Sequence, residues 1–141
     1  MLRLPVRRLS ADAVTPRYGR AGDAGLDLFA AEQYELAPGA RYVFGTGIAI
    51  AVPDGYVGLV WDRSGLATRA GITTMAGVID ATYRGEVRVP LLNTGDEAYV
   101  VHPGDRIAQL LVQAIPVVEV VEVDALDDTP RGSAGFGSSG R

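Results

Sequence analysis

Two stretches of the sequence carry residue types suited to a phosphorylated substrate, and the first is Asp62-Arg63-Ser64-Gly65-Leu66-Ala67. If a helix starts at Ser64, its free amides and positive dipole end face the preceding loop and can bind an anion. Arg63 stands just outside and can clamp a phosphate through two parallel hydrogen bonds. An ordinary capped surface helix with a solvated arginine explains the same residues.

The second stretch, residues 77–86, places a carboxylate at the end of an apolar strand, where Asp80 follows Val78-Ile79. Glycines at both ends of the stretch permit close approach of a ligand to the backbone. Such a carboxylate can take a proton from an attacking water within hydrogen-bond reach. Tyr83 can lay its ring against a sugar or base. A hairpin with a solvated aspartate and a core tyrosine is the structural alternative.

A third stretch lies in the tail, residues 131–140, which is rich in glycine and serine. Glycines expose amides that can wrap oxyanions, as phosphate-binding loops do. Arg131 adds positive charge, and Phe136 offers an aromatic face for a base. By composition alone, a frayed terminus explains the same residues.

Two further segments give weaker signals. Gly25-Leu26-Asp27-Leu28 puts a carboxylate inside an apolar strand, for which a buried, backbone-paired aspartate is the simpler interpretation. Residues 104–110 form a turn that enters a strand; we expect Asp105 and Arg106 to pair with each other, while the role of Gln109 is open.

Composition narrows the function classes. A chain of 141 residues with 48% hydrophobic and 21% charged residues predicts one globular domain. The absence of cysteine and the presence of one histidine exclude disulfide scaffolds, thiolate metal sites and histidine clusters. A net charge of −4 argues against a general nucleic-acid binder. All 13 cations are arginine, so side chains that bind anions do so through guanidinium groups.

No apolar run approaches the ~18–20 residues that a membrane-spanning helix needs, so no membrane association is expected. The opening stretch, Met1 to Ser10, alternates apolar and polar residues and lacks the apolar region of a signal peptide. A cytoplasmic location is therefore the expectation.

Short runs of Val, Ile and Leu separated by Gly and Pro predict an all-β sandwich or barrel. One short helix is predicted over Ser64 to Gly71, with Ser64 as its N-cap. We assign residues 1–126 to the β domain and residues 127–141 to a Gly/Ser-rich C-terminal segment. The strands are predicted at residues 2–7, 34–36, 41–52, 56–61, 77–80, 85–92, 98–101, 106–114 and 117–123.

Numbered in chain order, the first to fifth segments are residues 25–28, 62–67, 77–86, 104–110 and 131–140. Together they resemble the five sequence motifs of the trimeric dUTP pyrophosphatases (dUTPases), over residues 22–141. The resemblance implies a jelly-roll-like β subunit that forms a homotrimer with shared active sites. The C-terminal motif would close as a lid over a site built largely by the other two chains. It also implies hydrolysis of dUTP to dUMP and pyrophosphate, which keeps uracil out of DNA and supplies dUMP for dTMP synthesis.

Residue roles follow from the matched motifs. Asp80 matches the general base for the water that attacks the α-phosphorus, and Tyr83 matches the residue that packs on deoxyribose. The hairpin that starts at Thr74 would read uracil through its main chain, and its residues Gly77, Val78 and Ile79 are included in the binding set. The backbone pattern would reject cytosine because unpaired buried polar groups are costly.

The remaining motifs would hold the phosphates and the metal. Phosphate contacts are implied for Arg63, Ser64, Gly65, Gln109, Arg131, Gly137 and Ser138, while Phe136 would stack on uracil. Mg²⁺ would be held mainly by the triphosphate and waters, with Asp27 near it through water.

The chain departs from the family pattern at two informative positions. Asp62 stands where the family usually has proline and adds a negative charge beside the predicted anion site, and Thr74 stands where asparagine is usual. Two alternative functions share the fold: a non-catalytic nucleotide-binding or regulatory protein, and a dCTP deaminase. Deaminases need a glutamate where this chain has Pro90, which argues against that chemistry.

Overall fold

The computed structural model describes residues 1–135. In this part of the chain, short strands are joined by turns and interrupted by one helix, α1 (Ser64–Ala70). The strands are β1 (Val6–Arg8), β2 (Arg17–Tyr18), β3 (Leu26–Phe29), β4 (Tyr34–Leu36), β5 (Arg41–Ile50), β6 (Tyr56–Trp61), β7 (Ile72–Thr74), β8 (Val78–Ile79), β9 (Glu86–Asn93), β10 (Tyr99–Val101) and β11 (Arg106–Ala114).

The strands form two larger antiparallel sheets and one small ribbon. One sheet has the order β1-β5-β9-β7, the other has the order β2-β3-β11-β6-β8, and β10 pairs with β4. Buried side chains from both larger sheets meet in a common core, with Phe44 and Leu91 from one and Leu28 and Leu110 from the other. The predicted all-β, jelly-roll-like architecture is confirmed.

Alternation of apolar and polar residues explains how β9 faces the core. Val87, Val89 and Leu91 are buried, while the intervening residues are partly or fully exposed. Asn93 ends the strand fully buried; its amide donates to the carbonyls of Leu36 and Glu97 at 2.9 and 2.8 Å. These hydrogen bonds offset the free-energy cost of removing the Asn93 amide from water.

Helix α1 lies where the sequence predicts it, but its first turn is capped differently. The N-cap residue is Arg63, not Ser64, and no side chain caps the helix. Gly71 ends the helix in the left-handed region with φ 65°, as predicted from its lack of a β-carbon. Within residues 1–135, no helix is long and apolar enough to cross a membrane.

Two further expectations are corrected. The strand predicted over residues 117–123 does not form; this stretch has no regular structure, and its valines are highly exposed, Val117 at 96%. A strand requires a hydrogen-bonding neighbour, and alternation within one segment cannot supply it. Conversely, β2 and β7 were not predicted: β2 is two residues within a polar, Gly-rich stretch, and β7 is three residues that follow the helix directly.

Candidate active site

A polar cleft of about 520 Å³ opens where β3, β11 and the start of α1 meet the loop before β3. We call it the arginine cleft. Its lining residues are Gly19, Arg20, Asp23, Ala24, Gly25, Asp27, Arg63, Ser64, Gly65, Arg106 and Gln109. The cleft thus brings together the predicted residues of the first, second and fourth segments.

Asp27 holds the two central arginines of this cleft. Its Oδ1 lies 3.2 Å from Arg63 Nε, and its Oδ2 lies 3.5 Å from Arg106 Nη1. Arg63 also donates to the main-chain carbonyl of Arg106 at 3.4 Å. The carboxylate therefore orients the guanidinium groups and partly neutralises them, which leaves their other N–H groups available to an anion.

Arg106 is a site residue that the sequence did not reveal. The expected pairing with Asp105 is wrong, because the Asp105 carboxylate accepts a hydrogen bond from the His102 amide at 2.8 Å. The β3–β11 register shifts between Arg106 and Ala108. Because of this irregularity, Arg106 and Gln109 line the same cleft although their odd separation predicts opposite faces. Arg20 was missed as well, since it lies in a loop without periodicity.

Gln109 is fixed by contacts on both sides. Its Nε2 donates to the carbonyl of Asp62 at 2.8 Å. A β-carbon on Gly25 would overlap the Gln109 side chain, so this position requires glycine. The glycine in the first segment is therefore explained by the space that Gln109 needs.

The start of α1 adds main-chain donors to the cleft. The first hydrogen bonds of the helix run from the amides of Leu66 and Ala67 to the carbonyl of Arg63. The amides of Ser64 and Gly65 precede these bonds, as in any helix start, and can donate to an anion.

A second, more apolar pocket of about 270 Å³ lies on the hairpin that follows β7. We call it the hairpin pocket. Gly77, Val78, Ile79, Asp80 and Tyr83 line it together with Val60, Ala76, Glu86, Val87, Arg88 and Pro90. It brings together the predicted residues of the third segment, except Thr74, and shares no residue with the arginine cleft.

Asp80 directly follows β8 and is exposed. Among the described residues, no hydrogen bond or ion pair engages its carboxylate; its main-chain carbonyl accepts from the Tyr83 amide at 3.1 Å and closes the turn. A free carboxylate at a pocket wall can accept a proton from water.

Tyr83 lies across Gly85. Its hydroxyl donates to the carbonyl of Glu86 at 2.8 Å, and a β-carbon on Gly85 would overlap the ring. The ring remains 45% exposed, so one face can contact a ligand. The sequence suggested that Gly85 allows close approach of a ligand; in the structure it leaves room for the Tyr83 ring.

The backbone of the hairpin is unusual beside this pocket. Ala76 adopts φ 62°, the one positive φ of a non-glycine among the described residues, and Gly77 follows with φ 118°. The carbonyl of Gly77 accepts from the Val60 amide at 2.8 Å, and a β-carbon on Gly77 would overlap Val60. Strain of this kind is concentrated at functional sites.

The Asp62 side chain does not face the arginine cleft, contrary to the sequence-based expectation. Its Oδ1 accepts from the amide and the hydroxyl of Thr74, both at 2.6 Å, and its Oδ2 accepts from the Thr73 hydroxyl at 2.7 Å. Burial acts to raise the pKa of Asp62, but the hydrogen bonds from Thr74 and Thr73 outweigh it and lower that pKa. The negatively charged carboxylate of Asp62 is therefore bound to β7 and does not face the arginine cleft.

Residues 127–135 of the tail line neither pocket. Arg131 is exposed, and its Nε donates to the carbonyl of Ala134 at 2.8 Å. Phe136, Gly137 and Ser138 lie outside the described residues.

The dUTPase family model matches residues 11–140. The chain belongs to the dUTPase family. Two bacterial relatives are named deoxyuridine 5'-triphosphate nucleotidohydrolase. The protein from Thermobifida fusca is 52% identical over 99% of this chain and 79% of its own length. The protein from Mycobacterium tuberculosis strain H37Rv is 52% identical over 97% and 94%.

Solved dUTPase structures have the same fold. The dUTPase of Staphylococcus bacteriophage 80alpha, solved with dUpNHpp, superposes with a TM-score of 0.93 at 31% identity and covers 100% of both chains. A dUTPase from phage phi11 of S. aureus, described with a structural Mg(II) ion, gives 0.84 at 29% identity over 90% of this chain and 100% of its own. The resemblance seen in the sequence is confirmed as dUTPase family membership.

Proposed function

We propose that this chain hydrolyses dUTP to dUMP and pyrophosphate, with Asp80 as the general base. Family membership over residues 11–140 supports the reaction. The observation that carries the assignment of the base is the free Asp80 carboxylate at the wall of the hairpin pocket.

In the proposed reaction, Asp80 accepts a proton from a water molecule as the water oxygen bonds to the α-phosphorus. The bond between the α-phosphorus and the oxygen that bridges to the β-phosphorus breaks, and pyrophosphate leaves with that electron pair. Positioning and charge stabilisation supply most of the catalysis in phosphoryl chemistry.

The hairpin pocket is assigned to the nucleoside. The main chain from Thr74 through Gly77, Val78 and Ile79 would bind the uracil edge, and the exposed face of Tyr83 would pack on deoxyribose. The 2.8 Å hydrogen bond from the Tyr83 hydroxyl to Glu86 supports this role, because a ring held in place can exclude a 2′-hydroxyl.

The arginine cleft is assigned to the phosphates. The phosphate oxygens would accept hydrogen bonds from Arg63, Ser64, Gly65 and Gln109. We add Arg106 to this set because the Asp27 carboxylate orients it together with Arg63. Guanidinium groups match phosphate geometry through paired N–H donors.

Mg²⁺ is the proposed cofactor. Residues 1–135 contain no group of three side chains that could form a metal cage, which fits an ion held by the triphosphate and water. Both oxygens of Asp27 face arginines, so Asp27 would contact the ion only through water. When bound, the ion would neutralise phosphate charge.

We propose a homotrimer with active sites shared between chains. The separation of the arginine cleft and the hairpin pocket supports this arrangement, because a complete site would combine the cleft of one copy with the hairpin of another. The exposed valines of residues 117–123 also need a covering surface, and a neighbouring copy offers one.

The tail is proposed as a lid. Arg131, Gly137 and Ser138 would contact the terminal phosphate end, and Phe136 would stack on uracil. Residues 127–134 are all exposed, so this segment is free to reach a site on other chains. A cytoplasmic location stays a prediction.

Pyrophosphate release tests the reaction. We expect release from dUTP with Mg²⁺, and little from UTP, dTTP or dCTP. Asp80→Asn should retain dUTP binding and lower turnover at least ~100-fold, the usual scale for a lost general base. Asp54→Asn, an exposed carboxylate in the turn before β6, is the control. Unchanged turnover in Asp80→Asn would refute the role of Asp80.

The same assay separates the alternatives. Saturable dUTP binding by the wild type without pyrophosphate release would indicate a regulatory binding protein. Ammonia release from dCTP would indicate a deaminase; Pro90, which lies within β9 and has no proton to transfer, argues against it.

A further inference from the structure

Asp62 connects three strands at the point where the hairpin begins. Its carboxylate accepts the three hydrogen bonds from Thr73 and Thr74 on β7, and its carbonyl accepts from Gln109 on β11. Asp62 itself directly follows β6. One residue thus receives four hydrogen bonds from two neighbouring strands.

Beyond Thr74, the hairpin is anchored by the buried side chain of Ile79 and by few main-chain bonds. Strand β8 pairs with β6 at only Gly58 and Leu59. Two further main-chain bonds hold it, from Met75 to Pro90 at 2.9 Å and from Val60 to Gly77 at 2.8 Å. The positive φ of Ala76 requires support from its surroundings. The Asp62 contacts at the start of the hairpin therefore form a large part of what defines its position.

We infer that Asp62 is a positioning residue for the nucleoside half of the substrate, acting through Thr74 and the hairpin that begins there. This inference rests on the proposed dUTP hydrolysis. Asp62 touches no substrate in this scheme and does not line the arginine cleft. Its effect should therefore fall on ligands that the hairpin binds and leave those bound by the arginines nearly unchanged.

Trp61 provides a direct readout. It is the only tryptophan in the chain, it precedes Asp62, and both line a groove of about 310 Å³ with Thr73 and Thr74. Its fluorescence can follow ligand binding without any turnover. Hydrolysis of dUTP is measured in parallel.

The experiment compares two partial ligands: deoxyuridine, which has base and sugar only, and inorganic triphosphate. In Asp62→Ala, we expect the Kd of deoxyuridine to rise about tenfold, the scale of losing charged hydrogen bonds, while that of triphosphate changes less than about twofold. Asp62→Asn should lie nearer to the wild type because its amide oxygen still accepts from Thr74. Thr74→Val should show a smaller rise in the Kd of deoxyuridine, again with little change for triphosphate. This variant replaces Asp62→Ala in the test if Asp62→Ala does not fold.

Asp54→Ala is the matched control, and we expect it to bind both ligands as the wild type does. Equal weakening of both ligands in Asp62→Ala would mean general loosening and would overturn the inference. Unchanged deoxyuridine binding, or damage in Asp62→Asn as great as in Asp62→Ala, would also overturn it. Failure of the wild type to release pyrophosphate from dUTP would instead refute the proposed function, and the fluorescence titrations would still be readable.

Discussion

The arginine cleft and the hairpin pocket are built from different chemistry. The cleft is lined by charged side chains that orient one another, as Asp27 does with Arg63 and Arg106. The hairpin pocket is mostly main chain and apolar side chains, with the unengaged carboxylate of Asp80 at its wall. One is suited to a polyanion and the other to a base and sugar. The contrast fits the proposed homotrimer, in which the two pockets of one chain are half-sites that are completed by those of its neighbours.

Mixing two inactive variants tests this separation most strongly. Asp80→Asn removes the base, and Arg63→Ala removes a phosphate ligand, so each alone should be nearly inactive. In trimers that contain both variants, activity should return at about one third of the sites, where an intact hairpin meets an intact cleft. Pyrophosphate release from the co-expressed, doubly tagged protein measures the recovery.

The control for this experiment is co-assembly of Asp80→Asn with Asp80→Gln, which share the same defect and should recover nothing. If Asp80→Asn and Arg63→Ala also recover nothing although mixed oligomers form, each chain would contain its own complete site.

Removal of residues 132–141 tests whether the tail completes the joined site. We expect turnover of dUTP to fall at least about tenfold, because a closing segment excludes water and orients the substrate. The melting temperature should change little, since residues 127–134 are exposed and bury no core. A large fall in melting temperature would assign the tail to the packed domain instead.

Gly85→Ala tests the nucleoside half alone. The new β-carbon would displace the Tyr83 ring and open space beside the sugar. We expect the preference for dUTP over UTP, measured as a ratio of kcat/KM, to fall about tenfold. Gly55→Ala, in another exposed turn, is the control: its φ of 79° strains an alanine, so the variant loses stability without a new contact to Tyr83. If Gly85→Ala and Gly55→Ala showed the same preference for dUTP over UTP, the role of Tyr83 would be contradicted.

The smallest expected effect concerns stability in acid. The folded-state pKa of Asp62 is lowered by Thr74 and Thr73 against the opposing effect of burial. Its stabilisation is therefore present above the unfolded-state pKa, near 3.9, and is lost as the pH falls through the folded value. Asp62→Asn should be less stable than the wild type by about 1 kcal/mol at neutral pH, and this difference should shrink as the pH falls below about 4, through the folded-state pKa of Asp62. Urea unfolding between pH 7 and pH 3 measures it; a constant gap would refute the role of the charge.

Sequence reasoning identified local features and missed those that depend on neighbouring strands. Asp80 and Tyr83 were predicted as site residues from their spacing after a short apolar strand, and the structure brings both to one pocket. Gly71 was predicted as the helix end from its position, which the structure confirms. Arg106 was missed because the β11 irregularity changes which face it occupies. The prediction that Asp62 faces the anion site was wrong because its hydrogen-bond partners, Thr73 and Thr74 on β7, lie more than ten residues later in the chain.

The predicted strand over residues 117–123 was wrong for a related reason. Its alternation identifies an apolar segment but cannot tell whether a neighbouring strand lies within reach. The separation of the two half-sites was likewise hidden, because motif order along a chain does not report which surfaces the motifs reach.

The exposed valines of residues 117–123 also have a consequence during synthesis. A single chain presents Val117, Val118, Val120 and Val121 to solvent. Such β-prone, apolar stretches can nucleate aggregates. Glu119 and Glu122 interrupt this one at short intervals, and their repulsion between stacked chains disfavours fibrils. If the chain forms the proposed homotrimer, these two glutamates would protect new subunits from aggregation before assembly.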